Sequence, residues 1–153
     1  MAKFHGRFDY TIDNKGRVNI PAKFRSALNP DANETFTICR APNNCLRAYP
    51  KDKWDVVENE LESRPETEAT LRHKRLLFSS LSDSTLDGQG RVSLSANQLA
   101  LAKITKEVTL VGQSSYIEIW NTEAYNAYQN QFEDDFDSMF FSSVEAGLRK
   151  NDR

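Results

Sequence analysis

One nine-residue stretch is written twice in this chain, as DNKGRVNIP over Asp13–Pro21 and as DGQGRVSLS over Asp87–Ser95. A duplication constrains the fold more than any single motif, because each copy adopts the same local structure and must find a surface to pack against. The likeness runs on past the nine residues. Phe36-Thr-Ile-Cys39 matches Val108-Thr-Leu-Val111, and Leu46-Arg-Ala-Tyr49 matches Ile117-Glu-Ile-Trp120. A unit of about fifty residues is therefore present twice, joined by a more polar connector.

Within each unit the hydrophobic period gives the order of elements. Arg17-Val18-Asn19-Ile20 and Arg91-Val92-Ser93-Leu94 alternate strictly, which predicts strands with Val, Ile and Leu inward and Arg17 and Arg91 outward. Ahead of each arginine stands a turn signal, in which Asp13 or Asp87 bonds the amides that follow and Gly16 or Gly90 supplies a positive φ. Pro21 suits the first turn of a helix over 22–28, and Ser95 suits the N-cap of one over 96–102. Two strands follow in each unit, TFTIC and CLRAY in one, VTLVG and YIEIW in the other. Four short strands and one short helix bury too little apolar surface to stand alone. The expectation is a mainly β, α+β fold, in which strands exchanged between the two units make one shared β-barrel with pseudo-twofold symmetry.

The connector places Trp54, Val57 and Leu61, then Leu71, Leu76 and Phe78, at helical spacing on either side of Pro65, which predicts a helical hairpin over 52–61 and 66–79. From Thr122 onward, Tyr125, Tyr128, Phe132, Phe136 and Phe140 recur at spacings of three and four and predict a C-terminal helix with one aromatic stripe. The resulting divisions are residues 7–54 for the first unit, 55–81 for the connector, 82–125 for the second unit and 126–153 for the C-terminal helix and acidic tail.

Net charge is −2, but it is unevenly spread. Residues 1–50 hold eight Lys/Arg against four Asp/Glu, and residues 121–153 hold three against seven. A basic front is compatible with a localised anion-binding face, since local potential attracts phosphate. With 39% hydrophobic residues the chain is too apolar for disorder. The first ten residues, MAKFHGRFDY, carry no apolar signal segment, and no apolar run approaches a membrane span, so a cytoplasmic protein is expected.

Chemistry-bearing residues are sparse. Cys39 and Cys45 would need both His5 and His73 to complete a zinc site and read as buried thiols. Glu133, Asp134, Asp135 and Asp137 point different ways on a helix and read as a solvated face rather than a metal cluster. Neither histidine has a nucleophile at motif spacing, and no glycine-rich phosphate loop exists. The expectation is a protein that is not an enzyme, with no cofactor, no metal and no small-molecule substrate.

At DNKGRVNIP, LRAYPKDKW, DGQGRV, and KEVTLVG followed by EIW, the sequence resembles the MraZ family, whose members carry two tandem SpoVT/AbrB-like swapped-hairpin units. The resemblance covers roughly residues 7–125. It implies a DNA-binding transcriptional regulator, associated with the nucleoid, that closes into an octamer-like ring of identical chains. It implies binding to repeated boxes in the promoter of the division and cell-wall gene cluster. The family's pattern of Asp, three residues, then Arg falls here on Asp13 with Arg17 and on Asp87 with Arg91. Gln89 stands where the first unit has Lys15, Ser95 stands where it has Pro21, and RAPNNC replaces a glycine-bearing turn.

Arginine at a hairpin mouth presents a rigid charged fork that fits phosphate oxygens and the paired acceptors of guanine, and Lys15 adds a point charge suited to the DNA backbone. Two such hairpins side by side form the kind of surface that β-ribbon readers lay in a groove. The same pattern suits a salt bridge that merely closes each turn, and spacing alone leaves both readings open. An assembly or adaptor protein that recruits partners through its aromatic, acidic C-terminal helix is the alternative.

Overall fold

The computed structural model describes residues 3–151. The first copy contributes β1 (Arg7–Thr11), β2 (Arg17–Asn19), α1 (Ala22–Arg25), β3 (Thr35–Ala41) and β4 (Cys45–Pro50). The connector forms α2 (Lys51–Glu62) and α3 (Glu68–Phe78). The second copy repeats the first with β5 (Ser82–Thr85), β6 (Arg91–Ser93), α4 (Ala96–Leu101), β7 (Glu107–Gly112) and β8 (Ile117–Asn121). After α5 (Thr122–Phe132) come two shorter helices, α6 (Phe136–Phe140) and α7 (Ala146–Asn151). The chain divides into two compact units, Met1–Thr122 and Glu123–Arg153.

In the larger unit the two copies interleave. Six strands form one antiparallel sheet in the order β1-β7-β8-β4-β3-β5, and the other two, β2 and β6, form a separate ribbon. Among the described residues only β3–β4 and β7–β8 pair within a copy. β1 pairs with β7, β3 with β5, β4 with β8 and β2 with β6, so four of the six pairings join one copy to the other. The order reads the same from either end once equivalent strands are exchanged, which is the pseudo-twofold relation that the repeat predicts. The six strands remain an open sheet with β1 and β5 at its edges.

The ribbon's alternation follows the two-residue period. Val18 and Val92 face each other across it and are buried, as are Ile20 and Leu94. They complete a core with Phe36, Ile38, Leu46 and Ala48 from one copy and Val108, Leu110, Ile117 and Ile119 from the other. Each of the Val, Leu, Ile and Phe side chains contributes about 1.5–3 kcal/mol on full burial, so the shared core couples the copies tightly.

Some elements depart from expectation. α1 ends at Arg25 and not at Leu28, because Ala27 and Leu28 bond back to Phe24 and Arg25 in tight three-residue turns ahead of Pro30. α4 starts at a Ser95 cap as expected, with a reciprocal bond from Gln98. The connector is two helices, but only Trp54 of α2 is buried, and Val57 and Leu76 stay exposed. The Pro42–Asn44 turn supplies its positive φ from Asn43 (69°) and Asn44 (58°) in place of glycine. The C-terminal unit is not one helix. Phe132, with φ −113°, leaves helical geometry, and Glu133–Asp135 forms a 3-10 turn before α6. Asp is a weak helix former and crowded like charges repel along a helix, which accounts for the break. Tyr128–Phe132 and Phe136–Phe140 still pair their rings, while Phe136, Met139 and Phe141 are exposed. Among the described residues no helix is long and apolar enough to cross a membrane.

Candidate nucleic-acid interface

Both repeated turns are built by one carboxylate each. Oδ1 of Asp13 accepts from the Lys15 N–H at 3.0 Å and from the Arg17 N–H at 2.8 Å, while its Oδ2 accepts from Arg17 Nε at 2.6 Å. Asp87 repeats this with the Gln89 and Arg91 amides and with Arg91 Nε, each at 2.9 Å. The backbone closes each loop, Gly16 N–H donating to the Asp13 carbonyl and Gly90 N–H to that of Asp87. The donated backbone N–H of Arg17, opposed by partial desolvation and aided by the other bonds, holds the Asp13 carboxyl below its ordinary value. The backbone N–H of Arg91 does the same for Asp87. Both carboxylates are thus ionised at neutral pH and keep their arginines oriented.

Gly16 and Gly90 sit at φ +76° and +74°, and each turn rests on the other copy. A Cβ on Gly16 would lie 2.7 Å from the Leu94 carbonyl oxygen and 3.4 Å from Leu99 Cδ1. A Cβ on Gly90 would lie 2.8 Å from Arg25 Nε and Cζ. Crossed backbone bonds, Leu94 N–H to Gly16 and Ile20 N–H to Gly90, lock the pair of turns together.

The register places Arg17 opposite Ser93 and Asn19 opposite Arg91, so both arginines share the polar face of the ribbon. They meet at one carboxylate: Arg91 Nη1 stands 3.6 Å from Asp13 Oδ2, the oxygen that already binds Arg17. The salt-bridge reading of Asp13 and Arg17 is therefore realised, and it does not exhaust the guanidinium. Asp13 occupies Nε alone, and among the described residues no hydrogen bond reaches either Nη of Arg17. That leaves an end-on pair of donors directed by a fixed stem. The Arg17 side chain is 32% exposed and that of Arg91 21%. Lys15 is exposed.

Sequence reasoning missed three residues here. Asn19 lies on the arginine face of the ribbon. Arg25 lies against the second turn, donating through Nε to the Ile20 carbonyl at 3.0 Å. Gln98 is fully buried, and its Nε2 donates to the Ile38 and Ser80 carbonyls and to Ser82 Oγ, tying α4 to β3 of the other copy and to the segment that enters β5. Superposing the copies at the 74-residue offset of their two turns pairs Arg25 with Leu99, the signal in the sequence that points to Arg25.

Elsewhere the chemistry is quiet. Cys39 and Cys45 are buried free thiols, and burial pushes them up to about 11 and about 12. Among the described residues no three His, Cys, Asp or Glu side chains are grouped so as to hold a metal ion.

An interleaved two-repeat α+β protein that presents a paired, arginine-bearing ribbon is the class these features define. The family model described as "MraZ protein, putative antitoxin-like" matches the chain twice, over residues 4–76 and 77–141. The chain is 37% identical over 137 residues to the protein named Transcriptional regulator MraZ of Natranaerobius thermophilus, covering 89% of this chain and 93% of that one. It is 39% identical to the protein of the same name in Limosilactobacillus fermentum, with the same coverage. In Desulfitobacterium hafniense the identity is 39% over 146 residues, covering 95% of this chain and 99% of the relative. The chain belongs to the MraZ family.

Proposed function

We propose that this protein is a sequence-specific DNA-binding regulator of transcription that meets duplex DNA with Arg17 and Arg91, assisted by Lys15. The observation that carries the reading is the pair of Asp-braced guanidinium groups on one face of the β2–β6 ribbon. Relatives along nearly the whole chain bear the name of a transcriptional regulator, which supports it. Family resemblance extends the proposal to a closed ring of identical chains acting in the cytoplasm on repeated boxes in the promoter of the division and cell-wall gene cluster. Tandem boxes spaced to match a ring engage several ribbons at once and raise avidity through effective concentration. Each chain contributes two AbrB-like units, residues 7–54 and 82–125, joined by the connector 55–81. In this reading the ribbon and the open sheet together form the swapped-hairpin barrel. The role asks for binding and no turnover.

The test is titration of labelled promoter duplex with the parent protein, Arg17→Ala and Arg91→Ala. Each variant should raise Kd by about 10- to 100-fold at unchanged assembly mass, the range expected when one arginine no longer reaches the DNA. Parent-like affinity of both variants would remove the reading. The exposed Phe136, Met139 and Phe141 favour a second one, in which the Glu123–Arg153 unit recruits protein partners.

A further inference from the structure

The two turns are alike in geometry and unequal in charge. The first carries Lys15 beside Arg17, whereas the second carries Gln89 beside Arg91. Each turn also packs on a helix of the other copy, and there the inequality reverses. Leu99 of α4 lies beneath Gly16, and Arg25 of α1 lies beneath Gly90. Adding the supporting residue gives each turn one excess positive charge.

We infer that Arg25 is a fourth DNA-contacting cation, beside Arg17, Arg91 and Lys15, delivered across the copies to the second turn, where it supplies the charge that Gln89 lacks. This rests on the reading of the ribbon as a DNA surface. Three observations carry it. Arg25 is exposed although its Nε is anchored on the Ile20 carbonyl at 3.0 Å. The end of its side chain, Cδ, Nε and Cζ, lies against Gly90, the residue before Arg91, within 3 Å of where a Cβ would stand. Among the described residues neither of its Nη groups has a hydrogen-bond partner or an ion pair. Glu34 and Asp87 line the same groove, with Leu86, Gly88 and Gly90. Asp87 engages Arg91 through Oδ2 and two amides through Oδ1, so it leaves Arg25 free to face a phosphate. A guanidinium anchored in this way loses little freedom on binding.

The experiment uses the whole chain and the promoter duplex at several salt concentrations. Arg25→Gln keeps a side-chain donor for Ile20 and a stem over Gly90 but removes the charge. It should weaken binding about 3- to 10-fold and lower the slope of log K against log salt by about 0.9, the value for one neutralised phosphate. Arg25→Lys should restore the slope, and so should Gln89→Lys placed in the Arg25→Gln background. Urea midpoints monitor the fold of every variant. An unchanged slope in Arg25→Gln overturns the inference, as does a weakening that neither lysine recovers, which would mark Arg25 as a support for the turn alone. Arg17→Ala is run beside them. If it too is silent, the ribbon reading itself has failed, and the two failures are told apart.

Discussion

Asp13 and Asp87 each perform two tasks with one carboxylate, closing a turn with one oxygen and aiming an arginine with the other. The glycines that permit this geometry are not equally replaceable. Both have positive φ, a region that costs a residue with a Cβ about 1–2 kcal/mol. At Gly90 the obstacle is the flexible Arg25 side chain, but at Gly16 it is the Leu94 backbone oxygen, on a residue whose own N–H is bonded to the Gly16 carbonyl. Gly90→Ala should therefore lose about 1 kcal/mol of stability and Gly16→Ala about 2–3 kcal/mol in urea unfolding. Equal losses would contradict the cross-copy packing described for the two turns.

At the scale of elements, α4 is held by two interactions of different reach. Ser95 caps it locally, accepting from the Gln98 N–H at 3.1 Å, and Ser95→Ala should cost about 1 kcal/mol. Gln98 reaches β3 of the first copy, and Gln98→Ala should cost about 3 kcal/mol or more by removing the donor shared by the Ile38 and Ser80 carbonyls and leaving a cavity. Thermal or urea denaturation of the two variants checks the order, and a larger loss from Ser95→Ala would reverse it. The cap was legible in the sequence because both partners lie within four residues. The clamp was not, since Gln98 and Ile38 are 60 positions apart and the acceptor is a backbone atom. The same division explains the rest. Val18 and Val92 were readable from a two-residue period, and both turns from Asp and Gly. The early end of α1 and the break at Phe132 depend on local bonding and charge crowding that an apolar period does not register. Arg25 was hidden because its partner, Gly90, lies in the other copy.

On the scale of the whole molecule, the duplication is a folding device before it is a functional one. Four of the six strand pairings cross between copies, so neither copy holds a finished sheet, and the ribbon that carries the arginines exists only once both have folded. The Glu123–Arg153 unit contains none of the ribbon residues. Replacing Phe136 and Phe141 together by Ser should leave the affinity of each ribbon for DNA within about twofold, and any larger effect should appear in assembly mass by light scattering. A drop in DNA affinity at unchanged mass would instead place DNA-binding groups in that unit. In the proposed role the guanidinium groups of Arg17 and Arg91 face a polyanion. The most direct measurement is the salt dependence of promoter binding by the parent and by the double variant Arg17→Ala, Arg91→Ala. The parent should show a steep fall of log K with log salt, and the variant a slope shallower by about 0.9 for each phosphate that it no longer neutralises. Identical slopes and affinities for the two proteins, at equal assembly mass, would contradict it.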